Sequence, residues 1–242
     1  MTSDDHRPAR TAVVTGGTRG LGRALVHAFA QRGFRVYTTA RSVEALAALA
    51  RETESARFDV VPLEADMARV EDNARVARRI ADDDRRVDVL VHNAALLGPR
   101  TELAAHPPNV FQQVMRVNVF GPFDLTRQLL PLLRRGAAIE FVSSGVTERP
   151  RTRWGVYQVS KIALEGMAGI WAKELADGGI RVFVVDPGPM RTYMRAQAYP
   201  QEDPATLAPP EERTEAFVWL AERADISLTG RRFAAPGFSP PC

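Results

Sequence analysis

Three observations predict a single α/β domain built as a doubly wound parallel sheet. Seven short apolar runs have the length of strands, and helix-sized intervals separate most of them. The first run ends in a glycine-rich turn that opens an amphipathic segment, the start of a βαβ unit. Strands spaced this way join through right-handed crossovers, which put helices on both faces of a parallel sheet. With 242 residues the chain can bury a large core. No repeat, low-complexity linker or boundary interrupts it, so residues 1–242 read as one domain.

Composition narrows the class. Hydrophobic residues make up 45% and charged residues 25%, as in ordinary globular chains. The net charge of +3 is small and the signs are interspersed, so nucleic acid is not an expected partner. The single cysteine, Cys242, allows no internal disulfide and suggests a reducing compartment. The N-terminus from Met1 to Arg10 is polar, without the apolar core of a signal peptide. No apolar run approaches the roughly 18–20 residues of a membrane span. These features predict a cytoplasmic protein with no membrane partner.

The elements follow in order. Residues 11–16 (Thr-Ala-Val-Val-Thr-Gly) read as a buried strand. Gly16-Gly17-Thr18-Arg19-Gly20-Leu21-Gly22 opens a helix reaching about Arg32, and its glycines let backbone approach a pyrophosphate at the helix N-terminus. Phe34 to Ala40 reads as the second strand. Where an acid would meet ribose hydroxyls, its end carries Thr38, Thr39, Ala40 and Arg41. Arg41 and Arg19 either clamp a 2′-phosphate or are solvated arginines in an arginine-rich chain. Residues 42–52 look helical, 58–64 strand, 69–83 helix and 87–92 strand. A long helical pattern spans 110–134, with Pro131 near its last turn or at a kink. Ile139 to Ser143 is a fifth strand, 155–177 a long helix, and Ile180 to Asp186 a sixth strand closing on Pro187-Gly188. Residues 193–213, broken by prolines, read as an irregular substrate-binding loop. Helical character returns at 211–223, and Leu228 to Ala234 is a last strand.

The chemistry concentrates in Tyr157-Gln158-Val159-Ser160-Lys161, with Ser144 thirteen residues before the tyrosine. Residues four apart share a helix face, so the phenol and the ammonium can reach one space. A cation at ~4 Å and an effective dielectric of about 20 would favour the phenolate by roughly 4 kcal/mol, or about three pKa units. That would let Tyr157 exchange a proton with an alcohol or carbonyl. Of 32 basic residues only Lys161 and Lys173 are lysines, which makes the lysine four residues after a tyrosine more telling.

Taken together, these residues resemble the short-chain dehydrogenase/reductase family over nearly the whole chain, which implies a Rossmann fold. Thr15 to Gly22 is similar to its TGxxxGxG cofactor motif. Asn118, Ser144, Tyr157 and Lys161 fit the order and spacing of its catalytic tetrad. Pro187-Gly188-Pro189-Met190-Arg191-Thr192 is similar to its PGxxxT element, whose threonine contacts the nicotinamide amide, and Asp66 falls where the family has an adenine-binding acid. One element departs: His92-Asn93-Ala94-Ala95 stands where the family has NNAG, and His92 reads as structural. The resemblance implies an NADP(H)-dependent carbonyl reductase or alcohol dehydrogenase. The cofactor would be held by Gly16, Thr18, Arg19, Gly20, Leu21, Gly22, Arg41, Asp66, Met67, Asn93, Ala94, Tyr157, Lys161, Pro187, Gly188, Met190 and Thr192. Tyr157 would be the acid–base, Ser144 would orient the substrate oxygen, Lys161 would lower the Tyr157 pKa and hold the ribose, and Asn118 would hold a relay water. No metal is implied. Leu96, Leu97, Gly145, Trp154, Tyr193 and Met194 are candidate substrate contacts, with Arg151 and Arg153 as possible anion contacts. The competing reading is a catalytically silent NADP(H)-binding sensor or scaffold of the same fold. The resemblance further implies a homodimer or homotetramer joined through the two long helices, with Met115, Val119, Phe123, Leu164, Met167 and Trp171 as surplus apolar surface.

Overall fold

The computed structural model describes residues 10–83 and 85–241. Residues 1–9 and Cys242, on which the reading of the N-terminus and of the lone thiol depends, lie outside the described residues. Seven strands form one parallel sheet in the order β3-β2-β1-β4-β5-β6-β7. They are β1 (Thr11–Thr15), β2 (Arg35–Ala40), β3 (Val60–Glu64), β4 (Val87–His92), β5 (Leu133–Val142), β6 (Arg181–Asp186) and β7 (Arg232–Ala234). The strand order reverses between β1 and β4, which opens a crevice at their C-terminal ends where such sheets bind ligands.

Helices cover both faces. On one side α1 (Gly20–Gln31), α2 (Val43–Ser55) and α8 (Thr214–Arg223) pack Leu25, Phe29, Leu49, Phe217 and Leu220 against Val14, Val36 and Val185. On the other, α3 (Val70–Asp82), α5 (Gly121–Leu129) and α6 (Gly155–Glu174) pack Ile80, Leu125, Leu129 and Leu164 against Val13, Leu90 and Ile139. Both faces are apolar, so the central strands are buried almost end to end.

Four expectations need correction. The helix read over 110–134 is two helices, α4 (Pro108–Met115) and α5, joined by a π-turn at Arg116–Phe120 and ended by a 3-10 turn at Leu130–Leu132. Pro122 lacks an N–H in the first turn of α5, and the Gly121 N–H reaches back five residues to the Arg116 carbonyl. β5 begins six residues earlier than Ile139, because Leu133 pairs with Val87 before the register shifts around Gly136, whose φ is +86°. The loop expected over 193–213 opens with a helix, α7 (Tyr193–Ala198), whose first turn is capped by the Thr192 hydroxyl accepting from the Arg195 N–H. Leu164, expected on an outer face, is core.

Candidate active site

At the β1–β4 crevice lies a cavity of about 860 Å³. It is lined from the glycine turn to α7, so one space reaches from the end of β2 to the N-terminal end of α6.

Its floor is the turn after β1. Gly16 (φ +70°) and Gly20 (φ +54°) hold left-handed backbone there. Gly22 is buried and does not line the cavity. A Cβ on it would sit 2.2 Å from the Gly16 carbonyl oxygen and 2.4 Å from Asn93 Nδ2, so it is a spacer. Asn93 fixes that turn by donating to the Thr15 and Gly16 carbonyls at 2.8 and 3.2 Å. The N-terminus of α1 has no side-chain cap and no acid in its first turn, which leaves its N–H groups and dipole facing the cavity. Thr18, Arg19, Leu21, Arg41, Asp66, Met67 and Ala94 line the same end. Arg19 lies over the Tyr193 ring at 5.0 Å, and among the described residues neither Arg19 nor Arg41 forms an ion pair. Uncapped helix amides and two cations past the end of β2 suit a ligand that carries several phosphate groups.

At the other end Ser144, Tyr157 and Lys161 line the cavity together, with Pro187, Gly188, Met190 and Thr192 beside them. α6 starts at Gly155 (φ +42°), where a Cβ would meet His106 Nε2 at 1.9 Å, and His106 Nε2 accepts from the Val156 N–H at 3.4 Å. This close approach seats the first turn of α6 and therefore Tyr157. Burial pushes the phenol up to about 12, Ser144 bonding to it pulls it down, and the Asp186 carboxylate pushes it further up. The expected depression by Lys161 is absent. Its ammonium sits 5.7 Å from the phenol ring centre, donates to the Val142 carbonyl at 2.7 Å, and is itself brought down to about 8 by burial.

Asn118 lies where its helix is interrupted. It sits in the π-turn, 1% exposed and outside the cavity. Its side chain accepts from the Leu96 N–H at 2.8 Å and donates to the Leu96 carbonyl and the Ser160 hydroxyl at 2.9 Å each. With these bonds it ties the chain after β4 to α6. Thr192, expected to face a nicotinamide amide, lines the cavity, and its hydroxyl oxygen also accepts from the Arg195 N–H at 3.2 Å to cap α7. His92 is buried, bonds Thr126 at 2.8 Å and stacks on Phe141, and burial brings it down to about 3.

Leu96, Leu97, Gly145, Trp154, Tyr193 and Met194 all line the cavity, as does Arg151, whereas Arg153 does not. Sequence reasoning missed Tyr199 and Asp186, which also line it. Tyr199 packs on Trp154 at 6.0 Å, and Arg100 stacks on both rings at 4.6–4.7 Å, so α7 is held down by aromatic and cationic contacts from distant segments. Asp186, an acid directly after the apolar run Val182–Val185, is the one readable signal.

Comparison with known proteins points to one family. The sequence model described as short chain dehydrogenase matches residues 10–203. The chain is 37% identical over 237 residues to the uncharacterized oxidoreductase YciK of Escherichia coli, covering 96% of this chain and 94% of that one. It is 32% identical to a rhamnolipids biosynthesis 3-oxoacyl-acyl-carrier-protein reductase of Pseudomonas aeruginosa, covering 91% and 92%. Among solved structures, a short chain dehydrogenase of Escherichia coli CFT073 complexed with NADPH superposes with a TM-score of 0.88 at 37% identity, covering 93% of this chain and 96% of that one. One from Shigella flexneri complexed with NADP gives 0.87 at 35%, covering 94% and 97%.

Proposed function

Because the chain belongs to the short-chain dehydrogenase family and is an oxidoreductase of that family, we propose that it reduces a carbonyl compound with NADPH, or oxidises the matching alcohol with NADP⁺. The observation that supports this most is that Ser144, Tyr157 and Lys161 share one cavity with an uncapped, glycine-rich helix N-terminus.

Gly16, Thr18, Arg19, Gly20 and Leu21 would hold the diphosphate, Arg19 and Arg41 the 2′-phosphate, and Asp66, Met67, Asn93 and Ala94 the adenosine side and the turn beneath it. Pro187, Gly188, Met190 and Thr192 would flank the nicotinamide, and Lys161 its ribose. When bound, NADPH supplies a hydride to the carbonyl carbon. Ser144 orients the carbonyl oxygen through its hydroxyl. Tyr157, protonated at neutral pH with its pKa near 12, gives that oxygen its proton, so the substrate gains one hydride and one proton. Lys161, near pKa 8, can then return a proton to the phenolate. Asn118 positions α6 against the chain after β4. The apolar wall of Leu96, Leu97, Trp154, Met194 and Tyr199 favours an apolar or aromatic substrate body. We place the whole reaction in one domain, with residues 193–213 over the substrate end.

The test is the fall of NADPH absorbance with a panel of ketones, ketoacyl thioesters, quinones and aldehydes. Turnover that vanishes in Tyr157→Phe supports the reading. NADPH binding without turnover across the panel would instead identify a silent cofactor-binding protein.

A further inference from the structure

Beneath Tyr157 and Lys161 lies a second layer of charge that the reaction above does not use. Asp186 closes β6 with its side chain 11% exposed, and one oxygen accepts from the Gly188 N–H at 2.9 Å. Glu165, one turn beyond Lys161 on α6, accepts from the Ser143 hydroxyl and from the Thr147 hydroxyl at 2.9 Å. Both carboxylates are held by one side chain, Arg232, the first residue of the edge strand β7. Its Nη2 lies 3.0 Å from Asp186 Oδ2, its Nε 3.4 Å from Glu165 Oε1 and its Nη1 3.4 Å from Glu148 Oε1. The same Nη2 lies 3.5 Å from the Ser144 carbonyl oxygen. Parallel pairing aligns Arg232 with Val184, two residues before Asp186, which lets the guanidinium lie along the strand end.

We propose that Arg232 is a positioning residue for the Tyr157–Lys161 pair, acting through Asp186, Glu165 and the Ser144 carbonyl to cancel the negative charge beneath the site and to fix the serine. The proposal rests on the reading of Tyr157 and Lys161 as the reacting pair. Each acid couples to one member of that pair. The Asp186 charge pushes the Tyr157 phenol up, and the Glu165 charge holds Lys161 higher than burial alone would leave it. Among the described residues, the charged and titratable groups near Lys161 are Tyr157 and Glu165 on α6, Asp186 on β6, Glu148 and Arg151 after β5, and Arg232 on β7, with Arg19, Arg41, Asp66, Tyr193, Arg195 and Tyr199 elsewhere around the cavity. Arg195 is committed to Glu202 through two bonds of 2.6 Å. Arg232 is thus the cation that answers Asp186, Glu165 and Glu148 together. Removing it exposes negative charge, which favours the ammonium of Lys161 and disfavours the phenolate of Tyr157.

The chain offers a direct reading of this coupling, because it has only two lysines. Carbon-13 at the lysine ε-position gives two NMR signals, and Lys173→Arg assigns them. In the full-length cofactor-free protein Lys161 should titrate near 8. In Arg232→Gln its midpoint should rise by about half a pH unit or more. Arg232→Lys should return it toward the parent, and Glu165→Gln should move it down. A folded Arg232→Gln protein with an unmoved Lys161 would overturn the proposal. Where that variant does not fold, an unmoved Lys161 in Glu165→Gln overturns it equally. The titration needs no turnover, so its failure is separable from failure of the proposed reaction. A Lys161 that follows Arg232 in a protein reducing no carbonyl would sink the reaction and leave the coupling standing.

Discussion

At the scale of single residues, the candidate site turns on how burial and charge are balanced between Tyr157 and Lys161. Tyr157 and Lys161 were readable as neighbours because four-residue spacing on a helix fixes a shared face, whereas Ser144, after β5, was readable only through the family resemblance. That Lys161 leaves the phenol's pKa high was not readable, since it depends on how far burial competes with a cation 5.7 Å from the ring centre. The fit around Lys161 is tight: the side chain is 2% exposed and its ammonium is tied to the Val142 carbonyl. A guanidinium is wider, and it stays protonated at any working pH, which leaves it unable to pass protons. Lys161→Arg should therefore lower turnover by at least about a hundredfold, about 2.7 kcal/mol of transition-state stabilisation, in steady-state assays of protein that remains folded by circular dichroism. Tyr157→Phe should be at least as damaging while leaving NADPH titrations nearly unchanged. At the opposite end of the cavity, NADPH should be preferred over NADH by at least about tenfold in kcat/KM, and Arg41→Asp should narrow or reverse the ratio. Equal use of the two by the parent would remove the assigned role of Arg19 and Arg41.

At the scale of elements, the strands and most helices were readable from apolar periodicity, because parallel strands buried on both faces leave unbroken apolar runs. The interruptions were not. The π-turn at Arg116–Phe120 follows from one reorganised hydrogen bond, which no periodicity encodes. The early half of β5 hides behind Arg134, Arg135 and Gly136, whose polarity reads as loop. β5 also carries an oddity that sequence alone did not flag. Glu140 is fully buried, and neither of its oxygens has a hydrogen-bond partner. Arg181, the nearby cation, spends its guanidinium on the Gly136, Leu220, Ala221 and Ala224 carbonyls and so closes the end of α8. Burial holds the Glu140 carboxyl well above the usual carboxylate range, and the Arg181 charge opposes this only in part. Its folded pKa is raised, so its contribution is fully present below the ordinary glutamate range and is lost as pH rises above it. Glu140→Met should stabilise the protein by about 1–3 kcal/mol at neutral pH, with the gain shrinking toward pH ~4. Urea melts at the two pH values check this, and a gain that does not depend on pH would argue against a neutral buried acid.

At the scale of the whole molecule, α5 and α6 present an apolar outer face. Phe123, Val159, Ile162 and Ile170 are exposed there, Phe120 of the π-turn lies beside Phe123, and Phe123 stacks on the half-buried Trp171. Leu164 lies inward, so the surplus is carried by residues other than some of those the sequence suggested. Exposed apolar patches are a common feature of association surfaces, and we propose that this face pairs with a second copy of the chain. We expect light scattering at micromolar concentration to report a dimer or tetramer, and Ile170→Glu to shift it toward monomer while preserving the circular dichroism of the parent. A monomeric parent would show that this face is simply solvated.

The strand order also has a consequence in time. β1, at residues 11–15, pairs on one side with β2 and on the other with β4, some 75 residues further along. Until Val87–His92 has been made, β1 is the open margin of a three-stranded ribbon of apolar residues, a template for pairing with another chain. Closure of that gap is long-range and slow. Refolding from denaturant should lose yield as protein concentration rises, and the losses should be worst in the interval before β4 docks.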